Sequence, residues 1–184
     1  MLKLSTKSKH VIAKKSGHNI HIDEPELIVS QVNKLFLSSL EETRKQELNT
    51  FYNNLSKTVA EGDFDGYSKT YHKDAVIIFA FDKNKISLPI KKALAGWKQG
   101  FVDTKKGKSI SSVEFRFSQR IINETTAHDT GIFVYSTSNS DGSNKVEYPI
   151  HFEMLLVKKN NKWLATMEYQ KSKANMKEWN VLNK

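Results

Sequence analysis

Two pairs of polar side chains carry most of the chemistry this sequence offers. His151 and Glu153 stand two residues apart in Tyr148-Pro-Ile-His-Phe-Glu-Met-Leu-Leu156. On a strand that spacing sends both from the same face. Glu168 and Gln170 repeat the arrangement further along the chain. A carboxylate walled in by apolar groups has its pKa raised and can take and return a proton near neutral pH. Isomerisations, cyclisations and dehydrations need such a group. The same segment also holds the alternative, because Tyr148, Ile150, Phe152, Met154 and Leu156 make its opposite face strongly apolar. If that face meets a pocket, His151 and Glu153 point outward, toward solvent or a partner chain.

Asp129 completes the candidate catalytic set of Glu153, His151 and Asp129. It follows His128 directly, and neighbouring strand residues face opposite ways, so the two cannot form a dyad. Asp129 shares a face with Gly131, Phe133 and Tyr135 and can enter a pocket with them, with a surface charge as the competing reading. His72 and Asp74 precede a strand, where polar side chains commonly satisfy loop backbone groups. Other chemistries lack their residues. There is no cysteine, hence no disulfide, thiolate ligand or Cys nucleophile. No GxSxG elbow and no glycine-rich phosphate loop occur. The six histidines lack metal-binding spacing apart from His18 and His21, so no metal and no cofactor are expected.

The chain has 29 basic and 20 acidic residues, a net charge of +9, which raises nucleic acid as a partner. The distribution argues against it. Five lysines fall within Met1–Lys15, and others gather at turns. Phosphate and base readers rely on arginine, and only Arg116 and Arg120 occur in the strand-rich part. With 38% hydrophobic residues the chain can build a core. No apolar run approaches a membrane span, and lysines interrupt the stretch where a secretory signal would lie. No nucleic acid, no membrane and a cytoplasmic location are expected.

The elements that must position these side chains follow from periodicity. Residues 1–8 read as a flexible basic lead and His10–Ala13 as a short strand broken by Gly17. Asp23 can cap a helix with Pro25 in its first turn, and Leu27, Ile28, Val32, Leu35 and Phe36 recur at helical spacing. Ser38–Arg44 continues that helix or links it to the next. Leu48, Phe51, Tyr52, Leu55 and Val59 form a second stripe, which Gly62 ends. Phe64–Tyr71 reads as a short helix, Ala75–Phe81 as a strand, 82–85 as a turn and Leu88–Val102 as a helix. Period two then takes over: strands from Ser111, over Ala127–Ser136, Val146–Val157 and Trp163–Gln170, with Asn160-Asn161 as a tight turn. Asn175–Trp179 reads as a terminal helical turn.

Helices followed by long antiparallel strands make an α+β layout. The order helix, Glu61-Gly-Asp-Phe-Asp-Gly66, Tyr71-His-Lys-Asp-Ala-Val-Ile77, helix and strands resembles the nuclear transport factor 2-like (NTF2-like) superfamily, and within it the SnoaL-like and DUF4440 groups. Phe152-Glu-Met-Leu-Leu-Val-Lys-Lys-Asn-Asn-Lys-Trp163 carries the closing signature. The resemblance covers residues 46–180. It implies a cone of helices on a strongly curved antiparallel sheet, a pocket between them, and a homodimer formed through the sheet. It spans isomerases, cyclases, dehydratases and ligand binders without catalysis. Tyr71, Phe79, Trp97, Phe101 and Phe133, with Tyr135 and Glu168, are the candidate ligand-binding residues, plain core being the competing reading of the aromatics. Residues 9–36 separately resemble the closing strand, histidine loop and helix of an α/β-hydrolase, at Ser16-Gly-His18 and Asp23-Glu-Pro-Glu-Leu27. The expected organisation is 1–40 as basic lead and hydrolase-like segment, then 41–184 as the NTF2-like domain. The expected function is binding of a small hydrophobic or mixed-polarity molecule. The alternatives are isomerase, cyclase or dehydratase catalysis by a pocket carboxylate, or a structural dimerisation module.

Overall fold

The structure is a computed structural model that describes residues 10–81, 83 and 85–182. The expected basic lead lies outside the described residues, as do positions 82 and 84 of the expected turn. The chain divides into two compact units, Met1–Thr43 and Arg44–Lys184.

In the first unit, α1 (Ile20–Asp23) is a single turn, and α2 (Pro25–Glu61) begins with the expected proline and runs on into the second unit. The expected strand at His10–Ala13 does not form, for among the described residues of this unit no strand pairs with it. Asp23 does not cap α2. Its carboxylate turns back to accept from the Gly17 N–H at 3.0 Å and the Ser16 hydroxyl at 3.4 Å. Leu27 and Ile28 are half-buried, and Val32, Leu35 and Phe36 are exposed. Ser38–Arg44 is helical throughout, so the continuation holds and the linker alternative does not.

The second unit is a six-stranded sheet with helices on its inner face. Its strands are β1 (Tyr71–Phe79), β2 (Ile86–Pro89), β3 (Ser109–Ile122), β4 (Thr126–Asn139), β5 (Val146–Lys159) and β6 (Lys162–Lys173), in the order β2-β1-β6-β5-β4-β3. Only β1 and β6 run parallel among the described pairs. The α3 helix (Phe64–Ser68) stops short of Tyr71, which opens β1 instead of ending that helix. The short β2 replaces the expected first turn of the next helix, which begins after Pro89 as α4 (Ile90–Lys105). Asn160 and Asn161 turn β5 into β6 with φ of 50° and 59°, the left-handed region that Asn tolerates and tight hairpins require.

Bulges bend the sheet. Register shifts opposite Gly131 in β3 and at two points along β6 each place two residues against one, raising local twist. Gly131 sits where β4 closes on β3, and a Cβ there would lie 2.0 Å from the Arg116 carbonyl oxygen. The stripe Leu48, Phe51, Tyr52, Leu55 and Val59 packs on the inner face against Ile77, Phe152, Met154, Leu156 and Ala165. The expected core residue Trp163 is buried there, its indole N–H donating to Glu47 at 3.1 Å. Gly62 follows the end of α2 at φ 64°, where α4 passes too close for any side chain. On the outer face, α5 (Met176–Val181) lays Trp179 over Ile132 and Val134, with the Arg116 guanidinium 4.4 Å from the indole.

Candidate functional site

Between the curved inner face and α4 lies a half-open cavity of about 730 Å³ within the second unit. Tyr71 and Phe79 reach it from β1, Trp97 and Phe101 from α4, and Phe133 and Tyr135 from β4. Glu168 completes the expected set of seven from β6, and all seven line this one cavity. Helical spacing explains the α4 pair. Strand alternation explains the β4 pair, two residues apart. Tyr67, which the sequence reading passed over, joins them from α3. Its ring packs against Tyr71, Trp97 and Phe101, with centroids 5.5, 5.9 and 4.9 Å away.

Glu168 is buried and doubly bonded. The Tyr71 hydroxyl donates to Oε2 at 2.5 Å, and the Gln170 amide donates to Oε1 at 2.7 Å. Tyr67 extends the chain, its hydroxyl 3.0 Å from that of Tyr71. Burial pushes the Glu168 carboxyl above its ordinary pKa, against the downward pull of the Tyr71 and then the Gln170 hydrogen bonds. Burial first, and the Glu168 charge second, push both tyrosines upward, so both phenols keep their protons. A buried carboxyl among hydroxyl donors, facing an aromatic cavity, can orient a polar atom of a ligand. It can also exchange a proton with that ligand.

The expected catalytic set does not assemble at this cavity. His151 and Glu153 stand on the outer face of β5, as the apolar inner stripe allowed. His151 Nε2 lies 3.4 Å from Glu178 of α5. Glu153 accepts from Lys171 at 2.7 Å and lies 3.3 Å from His128. The Lys171 hydrogen bond, chiefly, holds Glu153 below its ordinary pKa, opposite to the shift a proton shuttle needs. Asp129 does face inward and is fully buried, but Arg120 occupies both its oxygens at 3.1 Å. That guanidinium also donates to Asn49 of α2 and stacks 4.1 Å from the Phe117 ring centroid. Asp129 is thus a buried structural ion pair away from the cavity wall. Among the described residues no cluster of three or more His, Cys, Asp or Glu could hold a metal, and no helix is long and apolar enough to cross a membrane.

Besides Tyr67, the wall holds two hydroxyls and two bare helix positions absent from the sequence reading: Thr104, Ser111, Gly96 and Gly100. The glycines carried a legible signal. Gly96-Trp97 and Gly100-Phe101 place two poor helix formers one turn apart inside an otherwise regular helix.

No family model matches the chain, and no curated protein matches it. Solved structures do. An NTF2-like protein of unknown function from Shewanella oneidensis MR-1 superposes with a TM-score of 0.51 at 14% identity, over 68% of this chain and 96% of its own. The chain has the NTF2-like fold. The beta subunit of benzoate 1,2-dioxygenase from Burkholderia mallei shares that fold, with a TM-score of 0.56 at 12% identity over 71% of this chain and 90% of its own. So does Aln2 from a Streptomyces species, with a TM-score of 0.57 at 12% identity over 70% of this chain and 89% of its own. Identities this low carry the fold and no activity. The α/β-hydrolase resemblance of residues 9–36 finds no support in these comparisons, and the strand it required does not form among the described residues.

Proposed function

We propose that this NTF2-like unit binds a small, largely apolar molecule in the cavity between α4 and the sheet. One observation carries the reading: about 730 Å³ of aromatic-walled space that ends on a buried, hydrogen-bonded carboxyl at Glu168. A cavity of this size suits a drug-sized ligand, and a few convergent polar groups on an apolar wall are what fix such a ligand's orientation. Native mass spectrometry of the purified protein tests it. The expected result is a reproducible extra mass, or uptake of apolar probes, that Thr104→Trp abolishes by filling the cavity while the melting temperature holds. Retention of the mass by Thr104→Trp would move the site elsewhere, and no uptake by the wild type would end the proposal. The same spectrum reports whether the chain forms the expected homodimer.

A second reading rests on the raised pKa of Glu168. In it the carboxyl works as the acid–base group of an isomerase, cyclase or dehydratase, a role first sought at Glu153. Glu168→Gln separates the two readings. A binder keeps its ligand within a small factor, whereas an enzyme loses turnover by about a hundredfold or more while still binding.

A further inference from the structure

The cavity has one polar group around Glu168, a second around Ser111, and two glycines of α4 in its wall. The first is Glu168 with Tyr71, Tyr67 and Gln170. In the second, the Thr104 hydroxyl donates to Ser111 at 3.0 Å, and Ser111 lies 3.3 Å from the Tyr135 hydroxyl. The Thr104 hydroxyl also lies 3.3 Å from that of Ser109, so three bonds among four hydroxyls use three hydrogens and one remains for a ligand acceptor. The two groups are offset along the strands. Gln170 pairs with Phe152 and Phe152 with Gly131, while Tyr135 lies four residues further along β4, roughly 13 Å of strand rise.

Gly96 and Gly100, both exposed on α4, also line the cavity. Neither has a positive φ among the described glycines, and a Cβ at either would meet nothing within 4 Å. Backbone conformation and packing therefore do not demand glycine here, and its presence lowers helix stability. What the pair leaves is a flat strip of α4 backbone bordering the cavity to which the sheet contributes Phe115, Phe133 and Tyr135. The lining has no cluster of cations. Lys173 is the one basic group among its described members, and Glu147 is paired with Lys145 at 2.6 Å.

We propose that the cavity takes an uncharged, flat aromatic molecule with an oxygen function at each end, seated against the bare α4 backbone at Gly96 and Gly100. This rests on the small-molecule reading above and names its ligand class. A flat ring gains most from a wall without Cβ atoms, and the two polar groups set its length and orientation. Gly96 and Gly100 are specificity-determining positions in which helix stability is given up for ligand shape.

Three probes decide it by fluorescence and calorimetric titration: para,para-dihydroxystilbene, unsubstituted stilbene and decanol, with Gly96→Ala/Gly100→Ala and Ser111→Ala as variants. The double alanine variant is expected to raise the Tm by roughly 2–4 °C per site. It should weaken dihydroxystilbene at least about tenfold and leave decanol within about twofold, the loss of one ring contact or hydrogen bond. Ser111→Ala should weaken dihydroxystilbene alone and leave stilbene unchanged. Unaltered dihydroxystilbene affinity in the alanine variant overturns the inference, as does a fall in its Tm, which would show that packing requires the glycines. Wild-type binding of decanol but of neither stilbene overturns it while sparing the small-molecule reading. Binding of none of the three removes both.

Discussion

Glu168, Glu153 and Asp129 are three carboxylates with three environments, and environment decides what each can do. Glu168 is buried among neutral donors, so its folded pKa stands above the unfolded value. A group shifted that way contributes its stability in full below the unfolded pKa and loses it as pH rises through the folded pKa. Thermal melts of the wild type and Glu168→Gln across pH should therefore diverge upward from about pH 4.5, the variant gaining relative stability as pH rises. Parallel curves would mean that the carboxyl titrates normally. Glu153 sits in a partly exposed pair, so Glu153→Gln should cost no more than about 1 kcal/mol in urea titrations. Asp129→Asn strands the Arg120 guanidinium and should cost about 3–5 kcal/mol by the same measurement. Equal effects of the two substitutions would contradict the burial assigned to them. Alternation set Asp129 on the face of Phe133 and Tyr135 and Glu153 opposite the apolar face of its strand, but it gave neither a partner. The difference comes from Arg120, nine residues from Asp129 in sequence and turned inward by the β3 bulge.

The bulges decide which side chains enter the cavity. Strict alternation from Trp163 and Ala165, both buried, would put Met167 and Tyr169 inside and Glu168 outside. The extra residue at Thr166 reverses this. Leu155 pairs with Met167 and Leu156 with Ala165, so Glu168 turns inward opposite Met154. The β3 bulge works in the same way: Phe117 faces in, Gln119 faces out and Arg120 faces in. Gly131 is the close approach that this second bulge requires. Gly131→Ala should cost at least about 1–3 kcal/mol, read as a lowered urea midpoint, because only backbone can yield. Near-neutrality would show that the strands part easily there. Trp179→Ala, which uncovers Ile132 and Val134, should cost about 3–5 kcal/mol in the same titration. A loss below about 1 kcal/mol would mean that α5 is not docked. Element types were legible from the period-two runs and the α2 and α4 stripes. The four-residue β2 was not, since Pro89 next to a helical pattern reads as a helix start.

The Arg44–Lys184 unit holds the buried core, the sheet and the cavity. Expressed alone, it should melt cooperatively and bind the same probes as the full chain, measured by calorimetry and titration. A non-cooperative melt would show that the unit depends on the preceding helix. Within Met1–Thr43, Val29, Val32, Leu35 and Phe36 are more than half exposed, and hydrogen bonds from Lys15, Ser16 and Gly17 to Asp23 and Glu24 hold its turn. The histidine loop that resembled a hydrolase's lacks the strand and sheet such a loop requires. Local likeness therefore did not carry an architecture, because a strand exists only through its partners.

The amino-acid sequence by itself determined the class of this protein. Periodicity, the Gly62 stop, the Asn160-Asn161 turn and the aromatic spacing on α4 and β4 are local features that dictate helices, hairpins and a wall of rings. Having no cysteine, it also leaves the chain without thiolate chemistry. Only the tertiary structure decided which carboxylate faces the cavity. The strand faces are set by register, register here depends on bulges, and a bulge shifts every later side chain to the opposite face.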